Sequence, residues 1–180
     1  MNLSRGASSF GGLFFNKGKT TIFKTDDTRY CPYYPAEEYI GHLRAPTGDQ
    51  RAFSGEHSHP FECGEWIVAH NGIITNYEKF SCDRNVVDSS VIPQELEIQG
   101  FDCFSKFNGT WACWMYKKST KELFITRSDN TLFYNPLNGD FSSVQIEGYE
   151  PLPEHKVFKI LPTGIEEVFS YKTKPLYFVP

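Results

Sequence analysis

Length, composition and charge already limit what this protein can be. The chain has 180 residues, 16% of them aromatic, and a formal net charge of -4 at pH 7, which suits one domain with a substantial apolar core. The mildly acidic balance, without a block of like charges, gives no basic surface of the kind that nucleic acid or an anionic membrane requires. No apolar run approaches a membrane span and residues 1–12 lack a signal-peptide core, so we expect a soluble, cytoplasmic protein.

The cysteines do not indicate a disulfide framework. Their number is odd, and no two of them form a C-x-x-C pair. We therefore expect most of them to be reduced and buried. They are Cys31, Cys63, Cys82, Cys103 and Cys113.

The first third of the chain predicts a strand hairpin followed by a third strand. Residues 1–10 are expected to form a flexible extension, which leaves residues 11–180 as the folded domain. The expected elements after the extension are a strand (11–15), a turn (16–18), a strand (20–23), a loop (26–35), a strand that ends at Arg44 (39–44) and a long loop (45–64).

The apolar run at residues 66–69 leads directly into a polar segment, residues 70–76, which we call the elbow. A strand that ends in Asn-Gly can present the side-chain amide of Asn71 beside the backbone N–H of Gly72, because glycine turns without a Cβ clash. Two convergent donors can form an oxyanion site. Asn-Gly is also the commonest hairpin signal, so a plain turn is the alternative.

The remainder predicts helices and then a run of short strands. Asn76 is expected to cap a short helix, and Asp88-Ser89-Ser90 a second one that ends near Gln99, kinked by Pro93 and stopped by Gly100. One or two helical turns are predicted at residues 101–107. The predicted strands are 111–116, which is apolar on both faces, 122–126, 131–134, 141–146, 156–161 and 166–171.

Several motifs occur together in one order along the chain. They are Gly41-His42-Leu43-Arg44-Ala45-Pro46-Thr47, His59-Pro60, His70-Asn71-Gly72-Ile73-Ile74-Thr75-Asn76 and Asp88 at a helix start. Together they resemble the class II glutamine amidotransferases, which include the glutaminase domains of glucosamine-phosphate synthase and asparagine synthetase and carry G-H-x-R, H-P, H-N-G-x-I-x-N and D-T-E. Residues 107–112 and 127–134 resemble later strands of the family, so the resemblance extends from Gly11 to at least Tyr134.

The resemblance implies an α+β fold, a four-layer αββα sandwich of two antiparallel sheets between helical layers, as in N-terminal nucleophile hydrolases. It also implies a glutamine site without a cofactor. Arg44 would pair with the α-carboxylate of glutamine, and Thr47 would add a hydrogen bond. Asp88 would hold the α-amino group, assisted by the Gly72 carbonyl. The Asn71 amide and the Gly72 N–H would form the oxyanion site.

Each of these residues also has a less specific interpretation. Alone, Arg44 would more often be a surface ion-pair residue and Asp88 a helix cap, and only their combination with the other motifs favours the glutamine site. Imidazole and thiolate groups also raise the alternative of zinc. The spacing fits no zinc finger, so we predict no metal at His57, His59, Cys63 and His70.

The nucleophile of the family is missing from this chain. The resemblance requires a cysteine at the mature N-terminus whose thiolate attacks the glutamine amide, in a C-G-[IL]-x-G run. The best match begins at Gly11, so glycine stands at the position of the cysteine. Removal of a propeptide would expose only Gly11. A shifted alignment would place Ser8 or Ser9 near the site, at the cost of an unusual cleavage.

Three functions follow from these residues. The favoured one is a catalytically inactive amidotransferase-like domain that binds glutamine or a related amino acid, or serves in interactions with a partner protein. The second is an active glutaminase with an atypical nucleophile that passes ammonia to a separate acceptor protein. The third is a structural component of a larger assembly with a vestigial pocket.

Overall fold

The computed structural model describes residues 9–26, 36–44, 57–81 and 87–173. The chain divides into two compact units, residues 1–61 and residues 62–180, and each is described by itself. Most of the predicted extension lies outside the described residues, as do Thr47, Cys31, Cys82 and most of the two long loops.

The first unit contains a three-stranded antiparallel sheet in the order β2-β1-β3. Its strands are β1 (Ser9–Asn16), β2 (Lys19–Thr25) and β3 (Glu38–Arg44). The predicted hairpin is confirmed, and Lys17 and Gly18 take positive φ at its turn. β1 begins two residues before Gly11. The first six residues of this central strand are buried.

The second unit is built on a six-stranded sheet in the order β12-β11-β7-β6-β5-β4. It also contains a small three-stranded sheet in the order β10-β8-β9. All strand pairs resolved between β5, β6, β7, β11 and β12 are antiparallel. The strands are β4 (Phe61–Cys63), β5 (Trp66–Ile74), β6 (Gly109–Lys117), β7 (Glu122–Ser128), β8 (Phe133–Tyr134), β9 (Phe141–Ser142), β10 (Glu150–Pro151), β11 (Lys156–Leu161) and β12 (Gly164–Ser170).

The main core of the second unit lies on the β5–β6 face that carries the helical segments. β6 is buried on both faces over Trp111 to Tyr116, as its apolar residues on both parities predict. Phe104, Phe107 and Trp111 are almost completely buried and pack with Tyr171 and the helix. Tyr171 also bonds to this cluster, because its hydroxyl accepts a 3.0 Å hydrogen bond from the Trp111 indole. The predicted α+β class, built on antiparallel sheets, is confirmed.

The helix after the elbow is short and begins with a tighter turn. A 3₁₀ turn, Asp88–Ser90, leads into α1 (Val91–Gln99), which ends at Gly100 with φ of 60° as predicted. Pro93 lies in the first turn of α1, where its missing N–H has no intrahelical partner to lose, and the helix runs on to Gln99. Pro93 therefore does not interrupt the helix, and the kink at this residue stays a prediction.

Some local predictions differ from the structure. β4 lies inside the segment predicted as a long loop. Asn76 does not cap the 3₁₀ turn Tyr77–Lys79 with its side chain, because that amide bonds Asn108 N and Lys106 O across the chain. The helical turns predicted at residues 101–107 are present as a 3₁₀ helix, Gly100–Ser105. No helix in the described part of the chain combines the length and apolar character that crossing a bilayer requires.

Candidate functional site

The elbow continues a strand and is not a hairpin turn. β5 pairs with β6 residue by residue through Ile74, with Asn71 opposite Ala112 and Gly72 opposite Trp111. A hairpin turn would end this ladder at Asn-Gly. The plain-turn alternative is therefore wrong, and another reason is needed for a glycine at this point of a paired strand.

That reason is the close approach of β6 to Gly72. The φ of Gly72 is 137°, and a Cβ placed on it would overlap the carbonyl oxygen of Thr110. Residues with a side chain rarely adopt this φ, and here they would also collide with the neighbouring backbone. Gly72 therefore gives the strand, and its own N–H, a geometry that no other residue would reproduce.

The carbonyl of Asn71 is fixed by a residue from the segment after β7. The Asn130 amide donates a 2.8 Å hydrogen bond to Asn71 O, and its own oxygen accepts one from Thr131 N at 2.8 Å. Arg127 Nη1 in turn donates to Asn130 O at 3.0 Å. The motif at residues 127–134 indicated only a strand, so sequence reasoning missed Asn130, which braces the elbow.

Asp88 is brought to the elbow by the 3₁₀ turn. Its Oδ2 accepts a 2.8 Å hydrogen bond from the backbone N–H of Ile74. Asp88 is half-buried, and its carboxylate makes no side-chain cap for the helix that follows it. The helix-cap alternative is therefore wrong, and the structure joins Asp88 directly to the segment that carries Asn71 and Gly72.

His70 is the first residue of the elbow and is buried. Its Nδ1 is 2.9 Å from Ser89 Oγ, and its Nε2 is 3.3 Å from Thr110 O. Burial lowers the pKa of His70, and the nearby Asp88 charge and the Thr110 carbonyl offset this only in part. His70 is therefore neutral at pH 7 and serves as a hydrogen-bonding side chain of the core.

The buried cysteines near the elbow are not nucleophiles. Cys113 lies opposite His70 in the β5–β6 ladder. Burial raises the pKa of Cys113 and of Cys103, so both are protonated thiols at pH 7. Both are free and buried, as predicted, whereas Cys63 is free and half-buried.

In the first unit, Gly11 has no room for a side chain. It lies on β1 opposite His42, and a Cβ placed on it would overlap the carbonyl oxygen of His59. A displaced backbone would be needed before any larger residue could stand there. At the position predicted for the nucleophile, the structure therefore leaves no space for a side chain.

Arg44 and Ser9 are paired across the same sheet. Arg44 ends β3, is 7% exposed, and lies opposite Ser9 of β1. Burial of a guanidinium excludes the surface ion-pair interpretation of Arg44. The Ser9 hydroxyl is buried and 3.3 Å from the Ser58 hydroxyl. Arg44 and Gly11 thus belong to the first unit, and Asn71, Gly72 and Asp88 to the second.

The described residues contain no group of three or more His, Cys, Asp or Glu side chains arranged to hold a metal ion. Of the four side chains considered for zinc, His70 uses both ring nitrogens in protein hydrogen bonds. The second unit instead contains the Asn71 side-chain amide and the Gly72 N–H on β5, and the Asp88 carboxylate on the 3₁₀ turn that bonds to β5. This set can bind an ammonium group and a polarised carbonyl oxygen.

Comparison with known proteins agrees with this chemistry. The family model described as "Glutamine amidotransferase domain" matches residues 52–145, just over half of the chain. A putative glutamine-hydrolysing asparagine synthetase 2 from Methanocaldococcus jannaschii is 36% identical over 66 residues, which is 34% of this chain and 13% of the relative. The chain thus spans only a small part of the curated relative that it matches.

Solved structures show the same fold at low sequence identity. Glutamine phosphoribosylpyrophosphate amidotransferase from B. subtilis, complexed with ADP and GMP, aligns with a TM-score of 0.66 and 18% identity over 91% of this chain and 43% of that one. A predicted glutamine amidotransferase from Pseudomonas aeruginosa PA01 aligns with a TM-score of 0.57 and 14% identity over 88% of this chain and 86% of that one. The predicted N-terminal nucleophile hydrolase type of fold is confirmed.

Proposed function

Because this chain belongs to the glutamine amidotransferase domain family and has the class II fold, we propose that it binds glutamine without hydrolysing it. In this proposal Arg44 pairs with the α-carboxylate of the ligand, with a hydrogen bond from Thr47. Asp88 and the Gly72 carbonyl hold the α-amino group. The Asn71 amide and the Gly72 N–H face the side-chain carboxamide of glutamine, where they polarise its carbonyl.

The observation that carries the proposal is the contrast between the elbow and Gly11. The elbow has the glycine that its geometry requires, a bonded Asp88 and an Asn71 carbonyl that is hydrogen-bonded by Asn130. At Gly11 the His59 carbonyl occupies the place of a side chain. Loss of a nucleophile costs about a millionfold in kcat where it was measured in a serine protease, so binding residues cannot replace it.

A second candidate is an active glutaminase that uses a serine, with ammonia delivered to a separate acceptor protein. The collision at Gly11 favours an alignment in which the nucleophile position lies before it, and Ser9 lies opposite Arg44. Ser8 is outside the described residues. Against this candidate, the Ser9 hydroxyl is buried beside Ser58 and stands inside the chain, so cleavage before it would be needed.

The two candidates differ in ammonia release. Purified protein is incubated with glutamine, and glutamate and ammonia are measured over time. We expect no release above a glutamine blank. Turnover that falls by about a hundredfold or more in Asn71→Ala would establish the second candidate, because an oxyanion donor contributes only to a working reaction. Turnover that is unchanged in Asn71→Ala would indicate a contaminating enzyme.

Glutamine binding is tested separately by thermal shift. A ligand at about 100 times its dissociation constant stabilises the folded state by roughly 2.7 kcal/mol. We expect stabilisation of the native chain and much less of Arg44→Lys, which keeps the charge but loses the two-pronged geometry. No stabilisation at millimolar glutamine would reject the binding proposal and leave the domain with a vestigial pocket.

A further inference from the structure

Three side chains of the second unit, beginning with His70 of the elbow, lie in a row within hydrogen-bond distance of one another. His70 Nδ1 is 2.9 Å from Ser89 Oγ, and Ser89 Oγ is 3.4 Å from Asp88 Oδ1. His70 and Ser89 are 2% and 3% exposed, so water does not supply alternative partners. The Ser89 hydroxyl therefore lies between His70 and Asp88, the residue proposed to bind the ammonium group, and its single proton can serve only one of them.

The positions of the protons in this row follow from the Thr110 carbonyl, which lies on the other side of the His70 ring. Thr110 O, 3.3 Å from His70 Nε2, can only accept a hydrogen bond, so Nε2 carries the proton. Nδ1 of the neutral ring then has a lone pair and accepts from the Ser89 hydroxyl. A hydroxyl has a single proton. While it points to His70, Ser89 cannot donate to Asp88.

The position of the Ser89 proton determines which hydrogen bonds the Asp88 carboxylate can accept. Its Oδ2 already accepts from the Ile74 N–H at 2.8 Å. The Ser89 hydroxyl also has the geometry to donate to Oδ1, at the longer distance of 3.4 Å, and this bond is not made while its one proton points to His70. With the Ser89 proton on His70, Oδ1 has no donor from Ser89 and can accept a hydrogen bond from a ligand.

We propose that His70 is a positioning residue that draws the Ser89 proton away from Asp88 and so keeps Oδ1 available to the ammonium group of the ligand. The inference rests on the proposed function, because it needs Asp88 to bind an α-amino group. Without the Nδ1 lone pair, the Ser89 hydroxyl turns its proton to Oδ1. It then competes with the ammonium group for the same acceptor.

The test compares glutamine with 4-carbamoylbutanoate, which is glutamine without the α-amino group. Dissociation constants are measured by calorimetry for the wild-type chain, His70→Phe, Ser89→Ala and the double variant. We expect His70→Phe to bind glutamine about fivefold more weakly, which is the usual worth of one hydrogen bond. Its affinity for 4-carbamoylbutanoate should be unchanged.

The double variant separates this role from a merely structural one. Ser89→Ala removes the competing proton, so adding it to His70→Phe should restore glutamine affinity to near the wild-type value. Structural damage would instead weaken both ligands equally, and the second substitution would add to the loss. Either of these results would overturn the inference.

A spectroscopic measurement on the wild-type chain keeps the inference testable where His70→Phe fails to fold. Long-range ¹⁵N–¹H NMR of the imidazole should show a protonated Nε2 and an unprotonated Nδ1. A protonated Nδ1 would overturn this inference alone. Absence of glutamine binding by the wild-type chain, with the expected tautomer, would instead reject the proposed function and with it the role of Asp88.

Discussion

Gly72 shows how one residue sets the geometry of the elbow. We expect Gly72→Ala to lower the free energy of unfolding by more than about 2 kcal/mol, since it combines a strained φ with a collision against the Thr110 carbonyl. Gly148→Ala is the matched control, because Gly148 has φ of 81° but no atoms near a Cβ. Chemical denaturation that gave equal losses for the two variants would show that the close approach costs nothing.

Gly11 allows the opposite experiment, the introduction of a thiol at the position that we predict for the nucleophile. We expect Gly11→Cys to be less stable than the wild-type chain and to release no ammonia from glutamine. The physical reason is the His59 carbonyl oxygen, which lies where the new Cβ would be placed. A stably folded Gly11→Cys protein with glutaminase activity would contradict both the geometry and the account of inactivity.

His70 makes stability depend on pH. Burial lowers its pKa below the ordinary 6.5, so in the interval beneath 6.5 the unfolded chain binds the proton and the folded chain does not. The free energy of unfolding should therefore fall as pH drops below about 6.5, by at most about 1.4 kcal/mol per pH unit from this group. Denaturation curves between pH 5 and 8 should be flatter for His70→Gln. The same pH dependence in both proteins would refute this origin.

At the scale of elements, β5 is held in place by a segment that is distant in sequence. We expect Asn130→Ala to cost about 1 to 3 kcal/mol, because it removes the donor to the Asn71 carbonyl and the acceptor of the Thr131 N–H. Asn138→Ala is the control, since the Asn138 amide bonds only at the surface. Comparable unfolding free energies for the two variants would show that Asn130 does not brace the elbow.

Elements with a strong local pattern were predictable from sequence, and those set by tertiary contacts were not. The β1–β2 hairpin and the end of α1 follow from turn glycines, and β6 follows from apolar residues on both parities. The continuation of β5 through Asn71-Gly72 was not predictable, because the pairing with β6 overrides a local turn signal. β4 is too short to have a pattern of its own.

The residues of the candidate site also fall into those that could be predicted from the sequence and those that could not. We predicted Asn71, Gly72, Asp88 and Arg44 as site residues because their order along the chain resembles a family, and their roles stay predictions. Asn130 and Ser89 were missed, since each acts through one hydrogen bond to a residue that only the fold brings near. Thr47 lies outside the described residues and stays a prediction.

At the scale of the whole molecule, the protein is a class II glutamine amidotransferase-like domain. The chain spans 43% of the B. subtilis amidotransferase that it resembles in fold. A domain that binds glutamine without consuming it would report glutamine to a partner protein or hold it in place. This role requires measurable affinity and no turnover.

The most direct measurement is calorimetric titration with glutamine, with ammonia assayed in the same cell after the run. We predict saturable binding with one equivalent of glutamine and no ammonia. Asp88→Asn should abolish most of the binding, because it removes the charge that faces the ammonium group. Asp102→Asn, at an exposed carboxylate of the same unit, should leave it unchanged. Ammonia release in proportion to time, or no binding heat with the wild-type chain, would contradict the account.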